Sequence, residues 1–461
     1  MKVNKIIAGL MAVCVIGMAC PAINCVSDIA TITASAESEH TGTYEQLTYH
    51  NYGDYIEITD CDYSAETVEI PAEIDGVPVT GIRYNAFCYC SDLTSIIIPK
   101  SVTSIGERVF FGCTGLTSVE IPDSVTSIGY CAFYDCTNLT SIGIPDSVTN
   151  IGGQAFYGTS WLEEKRKENP FVIVNGILID GYACPNDVII PDGVTSIGND
   201  AFRGCSGLAS INIPDNVTSI KDGAFWDCKG LTSIVIPDSV ISIGNSAFGG
   251  CSNLTSVEIS DSVNTIGENA FYYCTGLTSI EIPKRLNTIS ENTFSHCHGL
   301  TSVEIPDNVT SIGWMSFYEC ENLTSITILN PECNIYNSNN TISNNVTGDF
   351  NGTIYGYENS TTQKYAEKYN RNFVSLGQVP EKKVSLGDVN GDGLVDATDA
   401  TSVLVEYAGL STGNQSTFTE SVKQSADVNK DNMINAVDAT VILQYYAHLS
   451  TGGTDPIENF I

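Results

Sequence analysis

The chain is predicted to fold as a solenoid of short parallel strands stacked at a 23-residue period, followed by a small α-helical module built on two cation-binding loops. Three observations carry this. The strings Leu93-Thr-Ser-Ile-Ile-Ile98-Pro99-Lys-Ser-Val102-Thr-Ser-Ile105-Gly106 and Leu116-Thr-Ser-Val-Glu-Ile121-Pro122-Asp-Ser-Val125-Thr-Ser-Ile128-Gly129 lie 23 residues apart, and further units start at Leu139, Leu208, Leu231, Leu254, Leu277, Leu300 and Leu323. A fixed period of this size marks a solenoid, whose units bury their apolar side only against neighbours. Two twelve-residue acidic loops, 388–399 and 427–438, place oxygen side chains at positions 1, 3, 5, 9 and 12. That is the spacing at which a tight loop wraps one hard cation. Each loop runs into apolar residues spaced i, i+3, i+4, i+7: Ala400, Val403, Leu404 and Tyr407, then Ala439, Ile442, Leu443 and Tyr446. This is the stripe of an amphipathic helix, here expected to pack against its twin.

In chain order, residues 1–36 read as an export signal. Lys2 and Lys5 precede an apolar run over 6–19 that is too short for a membrane span, and Ala34-Ser35-Ala36 supplies a small-residue cleavage site. Gly17 stands three residues before Cys20, where lipidation of that cysteine needs an aliphatic residue. No other stretch is long and apolar enough to cross a bilayer, so the product is expected to be secreted, with no membrane span.

The solenoid occupies 43–376. Apolar residues at unit positions 1, 4 and 6 spell a short strand pointing inward at alternate residues, and Pro at 7 with Asp at 8 ends it in a turn. Val at 10, Ile at 13, Ala at 17 and Phe at 18 refill the core on the return path. Phe110, Phe133, Phe156, Phe202, Phe225, Phe248, Phe271, Phe294 and Phe317 then form a stacked spine. At roughly 1.5–3 kcal/mol per buried large side chain, the stack needs no disulfides. Nine cysteines share unit position 21, from Cys90 and Cys113 to Cys297 and Cys320. In register they point the same way, which is poor geometry for bridging, and they read as small buried thiols. So many free thiols in an exported protein suggest an anaerobic habitat. His296-Cys297-His298 lies in a tight turn with Cys297 inward, so it is not taken as a metal cluster.

These units resemble the bacterial leucine-rich repeats of the BspA type, on the motif Ser127-Ile128-Gly129, Ala132-Phe133 and Cys136. The resemblance implies a leucine-rich-repeat solenoid of the kind found on exported surface proteins. Lys221 for the usual Gly and Lys284-Arg285 for the usual Asp-Ser depart from the pattern and are expected to disturb local turns only.

The period breaks over 159–187. Lys165-Arg166-Lys167, flanked by Glu163, Glu164 and Glu168, reads as a solvated helix face, and Asn175-Gly176 between two apolar runs predicts a hairpin within an extended rung. Towards the end of the solenoid, a strand over 353–357, a helix over 360–369 and a strand over 372–376 are expected to cover the last rung. Residues 377–384 form a linker.

The second module spans 385–450. Leu394 and Met433 at loop position 7 would offer backbone carbonyls, and Gly393 and Asn432 at position 6 meet a need for positive φ. No helix pattern precedes the first loop, and position 12 holds Asp where an ordinary EF-hand has Glu. The duplicated loop-helix unit resembles a type I dockerin. The resemblance implies two bound calcium ions, one held by Asp388, Asn390, Asp392, Leu394, Asp396 and Asp399, the other by Asp427, Asn429, Asp431, Met433, Asn435 and Asp438. It also implies a cohesin partner on a scaffoldin, recognised through Ala397, Thr398, Ala436 and Val437. Many dockerins carry a Ser/Thr pair at those positions, and this chain departs from that.

A net charge of −34, with 54 acidic against 20 basic residues, leaves no basic stripe to neutralise phosphates and excludes nucleic acid as a partner. On the strand face, Glu258, Glu281 and Glu304 fall at the outward unit position 5 of consecutive units, a candidate ligand face for a cation or a basic partner, with a solvated polar face as the favoured reading. No row of Trp or Tyr marks that face, and no pair of cleft carboxylates, nucleophile elbow or phosphate loop is present. The expectation is a non-catalytic, secreted cellulosome component of an anaerobic bacterium, acting in plant polysaccharide degradation, whose solenoid binds a protein or cell-surface ligand. The alternatives are a polysaccharide-binding module and a carbohydrate-active enzyme with an unrecognised active site.

Overall fold

The computed structural model describes residues 40–181, 186–379, 385–391, 393–451 and 453–461. The expected export signal with Cys20, most of the linker and the loop residue Asp392 lie outside the described residues. The chain divides into two compact parts, residues 1–150 with 155–160, and residues 151–154 with 161–461.

The first part begins with an antiparallel meander, His40–Tyr44, Leu47–Asn51 and Ile56–Cys61. Its last strand pairs in parallel with Val77–Ile82, which hands on to Ser104–Ile105 and Ser127–Ile128. Separately, Thr67–Glu69 pairs with Ser95–Ile97, and Ser118–Glu120 with Ser141–Gly143. Most units therefore supply two short strands rather than the single one expected. The added strand is the Ser-Ile pair on the return path, two residues long and bonded rung to rung, as in Gly129 N–H to Ile105 O at 2.9 Å. The glycine closing it is required by close approach, since a Cβ on Gly129 would stand 2.5 Å from Glu107 N of the previous rung.

In the second part, helix α1 (Ser160–Glu168) leads to an antiparallel hairpin of Val172–Val174 and Ile177–Asp180. Asn175 (φ 50°) and Gly176 (φ 76°) are both left-handed, the conformation a two-residue hairpin demands. The second hairpin strand pairs in parallel with Ser196–Ile197 and starts a ladder through Ser219–Ile220, Ser242–Ile243 and Thr265–Ile266. The basic cluster of α1 is not uniformly solvated. Lys165 and Lys167 pair with Glu168 and Glu164 at the surface, but the Arg166 side chain is only 13% exposed. Its Nη2 lies 2.6 Å from Asp180 Oδ2 and its Nε donates to Oδ1 at 3.0 Å, so it clamps the helix to the hairpin. Lys221 keeps its turn through Lys221 N–H to Ile197 O at 2.9 Å, and Lys284-Arg285 keeps the bond from Leu286 N–H to Pro283 O at 3.1 Å. Strands Ser302–Ile305, Ser325–Ile328, Thr353–Gly356 and Asn372–Ser375 form the last ladder. Helix α2 (Thr361–Lys368), N-capped by Ser360, packs beside it.

The expected spine is present in both parts. Ring centroids are 5.3, 5.1 and 5.7 Å apart from Phe87 through Phe110 and Phe133 to Phe156. From Phe202 to Phe317 every successive pair is stacked, at spacings of 5.2 to 5.6 Å. The cysteines of the described residues are free thiols. The ladder has a reason beyond size: Cys113 S–H donates to Phe87 O at 2.9 Å, and Cys136, Cys228, Cys251, Cys274, Cys297 and Cys320 repeat the bond to the phenylalanine 26 residues earlier. Burial pushes the thiols of Cys251 and Cys320 up to about 12, which keeps them protonated donors.

The helical module contains α3 (Ala397–Ser411), a short α4 (Glu420–Ala426) and α5 (Ala436–Ser450). Helices α3 and α5 pack against each other. Val389, Ala400, Val403, Ala426, Val428, Ala439, Val441, Ile442 and Ile457 make the core.

Candidate functional site

The loops before α3 and α5 share one construction. In the second, the Asp427 carboxylate accepts the N–H of Asp431 (3.0 Å) and Asn432 (2.9 Å), and Asn429 Oδ1 accepts Asp431 N–H at 3.0 Å. The chain curls around its own acceptors, with Asn432 (φ 64°) left-handed, as Gly393 is at position 6 of the first loop (φ 87°). There Gly393 N–H donates to Asp388 Oδ2 at 3.0 Å. The Leu394 and Met433 side chains turn outward.

Positions 9 and 12 also cap the helices. Asp396 accepts Thr398 N–H (2.7 Å) and Asp399 accepts Asp396 N–H (2.8 Å), a complete capping box at the start of α3. Asn435 and Asp438 build the same box on α5. The sequence reading missed this, although Asp-x-x-Asp and Asn-x-x-Asp ahead of an apolar run carry the signal. Asp399 Oδ1 also accepts Val389 N–H (2.8 Å) and Asn390 N–H (3.0 Å), tying the loop's start to its end. Both closing aspartates are fully buried. Burial raises the Asp399 carboxyl above its ordinary range, with Asp388 adding to the shift and the backbone N–H groups opposing it. Burial does the same at Asp438, aided by Asp427 and Asp431. Carboxylate and amide oxygens gathered in these loops suit a hard divalent cation such as calcium.

Ala397, Thr398, Ala436 and Val437 form the exposed first turns of α3 and α5. The expected apolar stripes are only half buried. Ala400, Val403, Ala439 and Ile442 enter the core, but Leu404, Tyr407, Leu443 and Tyr446 are exposed, as are Leu410 and Leu449. Two short helices crossing in a small module cover one narrow face each, which leaves the rest of a wide stripe outside. The exposed residues match across the duplication as Leu404 with Leu443, Tyr407 with Tyr446 and Leu410 with Leu449. An apolar patch repeated in this way marks an interaction surface.

On the solenoid, Glu258, Glu281 and Glu304 are all exposed but share no continuous ladder. Glu258 lies in Ser256–Ile259 and Glu304 in Ser302–Ile305, while the rung of Glu281 has no strand here, in line with the cost of like charges placed directly opposite. An aromatic row absent from the sequence reading runs along the turns of the first part, with Phe111 to Tyr134 at 4.9 Å and Tyr134 to Tyr157 at 5.1 Å. Its rings are stacked, so their faces cover one another, whereas a sugar platform needs open faces.

The model of the BspA type leucine rich repeat region matches six copies, over residues 80–171, 182–274 and 221–347, together more than half of the chain. The model of the dockerin type I domain matches 386–446. Both are non-catalytic types of domain, and no enzyme domain is detected. None of the curated proteins compared matches the chain. Among solved structures, a leucine rich cell surface protein from Faecalibacterium prausnitzii A2-165 is 29% identical, covering 72% of this chain and 98% of that one with a TM-score of 0.30. A leucine-rich repeat protein from Bacteroides ovatus ATCC 8483 is 25% identical over 73% of this chain and 100% of its own, with a TM-score of 0.29. One from Eubacterium ventriosum ATCC 27560 is 23% identical over 62% and 90%, with a TM-score of 0.37. Type I dockerins are generally calcium-binding, take a cohesin as partner and are typical of extracellular cellulosome proteins. Among the described residues no helix is long and apolar enough to cross a membrane. The chain belongs to the BspA-type leucine-rich repeat family and carries a type I dockerin domain at residues 386–446.

Proposed function

We propose that this protein is a secreted, non-catalytic cellulosome component, in which the dockerin binds a cohesin on a scaffoldin and displays the solenoid to a protein or cell-surface ligand during plant polysaccharide degradation. The duplication of loop, capping box and exposed helix face is the observation that carries this reading. Each loop would hold one calcium ion through Asp388, Asn390, Asp392, Leu394, Asp396 and Asp399, or through Asp427, Asn429, Asp431, Met433, Asn435 and Asp438. Calcium neutralises the crowded carboxylates and couples their closure to folding. Ala397, Thr398, Ala436 and Val437, with the paired Leu and Tyr residues behind them, would meet the cohesin. Glu258, Glu281 and Glu304 would contribute to a ligand face.

The test is capture of the full chain by a panel of immobilised cohesins in calcium. One cohesin class should retain the parent, and the D388A/D427A double variant should pass through. Equal retention of parent and double variant, or no retention of the parent by any cohesin, overturns the proposal.

A further inference from the structure

The turn side of the solenoid brings together a second set of metal-ligating groups, independent of the dockerin loops. Unit position 20 on three consecutive rungs is held by Tyr273, His296 and Glu319, and position 22 of the middle rung adds His298. Five histidines occur in the whole chain, and two of them share this turn. Among the described residues, His296, His298 and Glu319 are the one group of three or more His, Cys, Asp or Glu whose ligand atoms all lie within 4.8 Å of one another.

One pair already stands at the spacing of two ligands on one ion, and the third ligand atom lies within 4.8 Å of both. His296 Nδ1 lies 3.3 Å from Glu319 Oε2. Two ligands each ~2.0 Å from a tetrahedral metal stand about that far apart. His298 Nε2 is buried with no hydrogen-bond partner, and a buried ring nitrogen left so is costly. The site is also pre-built. Tyr273 stacks on the His296 ring at 4.2 Å, and Tyr272 and Tyr318 close it edge-on at 5.5 Å each. The side chains of His296 and Glu319 are 12% and 16% exposed, shielded yet reachable. Cys297 between the two histidines takes no part, because its S–H is committed to Phe271 O at 3.2 Å. His296 (φ 60°) and Glu319 (φ 52°) are left-handed where other rungs use glycine, as at Gly204 and Gly250. A side chain there costs roughly 1–2 kcal/mol.

We propose that His296, His298 and Glu319 bind one divalent transition-metal ion of the zinc class, through two imidazole nitrogens and one carboxylate oxygen, leaving coordination positions open to water or to a donor from a partner. Imidazole ligands favour such an ion over calcium. The site therefore fills independently of the dockerin loops.

The test titrates Zn²⁺, and in parallel Co²⁺, into the full chain after chelator treatment and return to excess calcium, which saturates the loops. The variants H296G and H298S borrow residues the chain uses at the same unit positions, Gly250 and Ser252, so the turn is kept. E319Q removes the charge at nearly constant shape, and far-UV circular dichroism confirms folding of each variant. The parent should bind one Zn²⁺ per chain, and its affinity should fall more than about 100-fold in either histidine variant, beyond the 10–100-fold that loss of a supporting group costs. Bound Co²⁺ should show visible bands of nitrogen and oxygen ligation. No Zn²⁺ bound by the parent, an unchanged affinity in the H296G/H298S double variant, or a near-ultraviolet thiolate band with Co²⁺ overturns the site.

Discussion

Among single residues, Arg166 shows how far local reading reaches. Three consecutive basic residues among glutamates fit a solvated helix face, and for Lys165 and Lys167 that holds. Arg166 departs from it because its partner, Asp180, lies beyond a hairpin and comes into reach only after Asn175-Gly176 has reversed the chain. Planar guanidinium and carboxylate then meet through two bonds, with both side chains mostly shielded. Breaking such a pair strands one charge, so R166A is expected to destabilise the protein by about 3 kcal/mol. K167A should change stability by less than about 0.5 kcal/mol. Thermal or urea unfolding of both variants checks this, and equal effects would contradict the clamp. The loop aspartates give the opposite lesson. Their spacing suits a metal, and the capping roles of Asp396, Asp399, Asn435 and Asp438 hide behind it because the same carboxylate and amide oxygens serve both purposes.

The repeated elements were mostly legible because 23-residue self-similarity repeats each signal many times. Position 18 could only be a spine and position 21 only an inward thiol. The Ser-Ile strands were not legible, since two residues show no alternation and pairing exists only once rungs stack. The helices α3 and α5 are legible, but how much of each stripe its twin covers is not, because a 3.6-residue period reports apolarity and not what covers it. The thiol ladder carries a pH prediction. Burial pushes Cys251, Cys320 and Cys333 up to about 12, and Tyr365 likewise. A folded pKa above the unfolded one, near 8.5 for a thiol, gives stability that is complete below that pH. It is lost as pH rises toward the folded value, because the unfolded chain releases the proton first. Unfolding free energy from denaturant titrations should therefore fall between about pH 9 and 11, by up to roughly 1.4 kcal/mol per thiol for each pH unit, and the midpoint with it. Replacing Cys251 and Cys320 with alanine should flatten the slope. A midpoint that does not change over this range would contradict protonated, hydrogen-bonded thiols.

At the scale of the whole molecule, a leucine-rich-repeat stack and a dockerin-type module share one chain. The solenoid buries several large side chains per rung, so its fold is expected to stand without calcium. The dockerin is small, with a short apolar core and two loops whose carboxylates repel one another, so its fold and its partner surface should depend on the ions. Sequence alone separated the two because their periods differ, 23 residues in one and a single 39-residue duplication in the other. The His296, His298 and Glu319 cluster escaped it because Glu319 joins the pair only through stacking of the next rung. The most direct measurement is a count of calcium ions bound per chain by equilibrium dialysis, with far-UV circular dichroism recorded on the same samples. Two ions are predicted for the parent and fewer when either Asp388 or Asp427 is replaced by alanine, with part of the helical signal lost in chelator while the strand signal stays. A parent that binds no calcium, or keeps its full helical signal in chelator, would contradict the account.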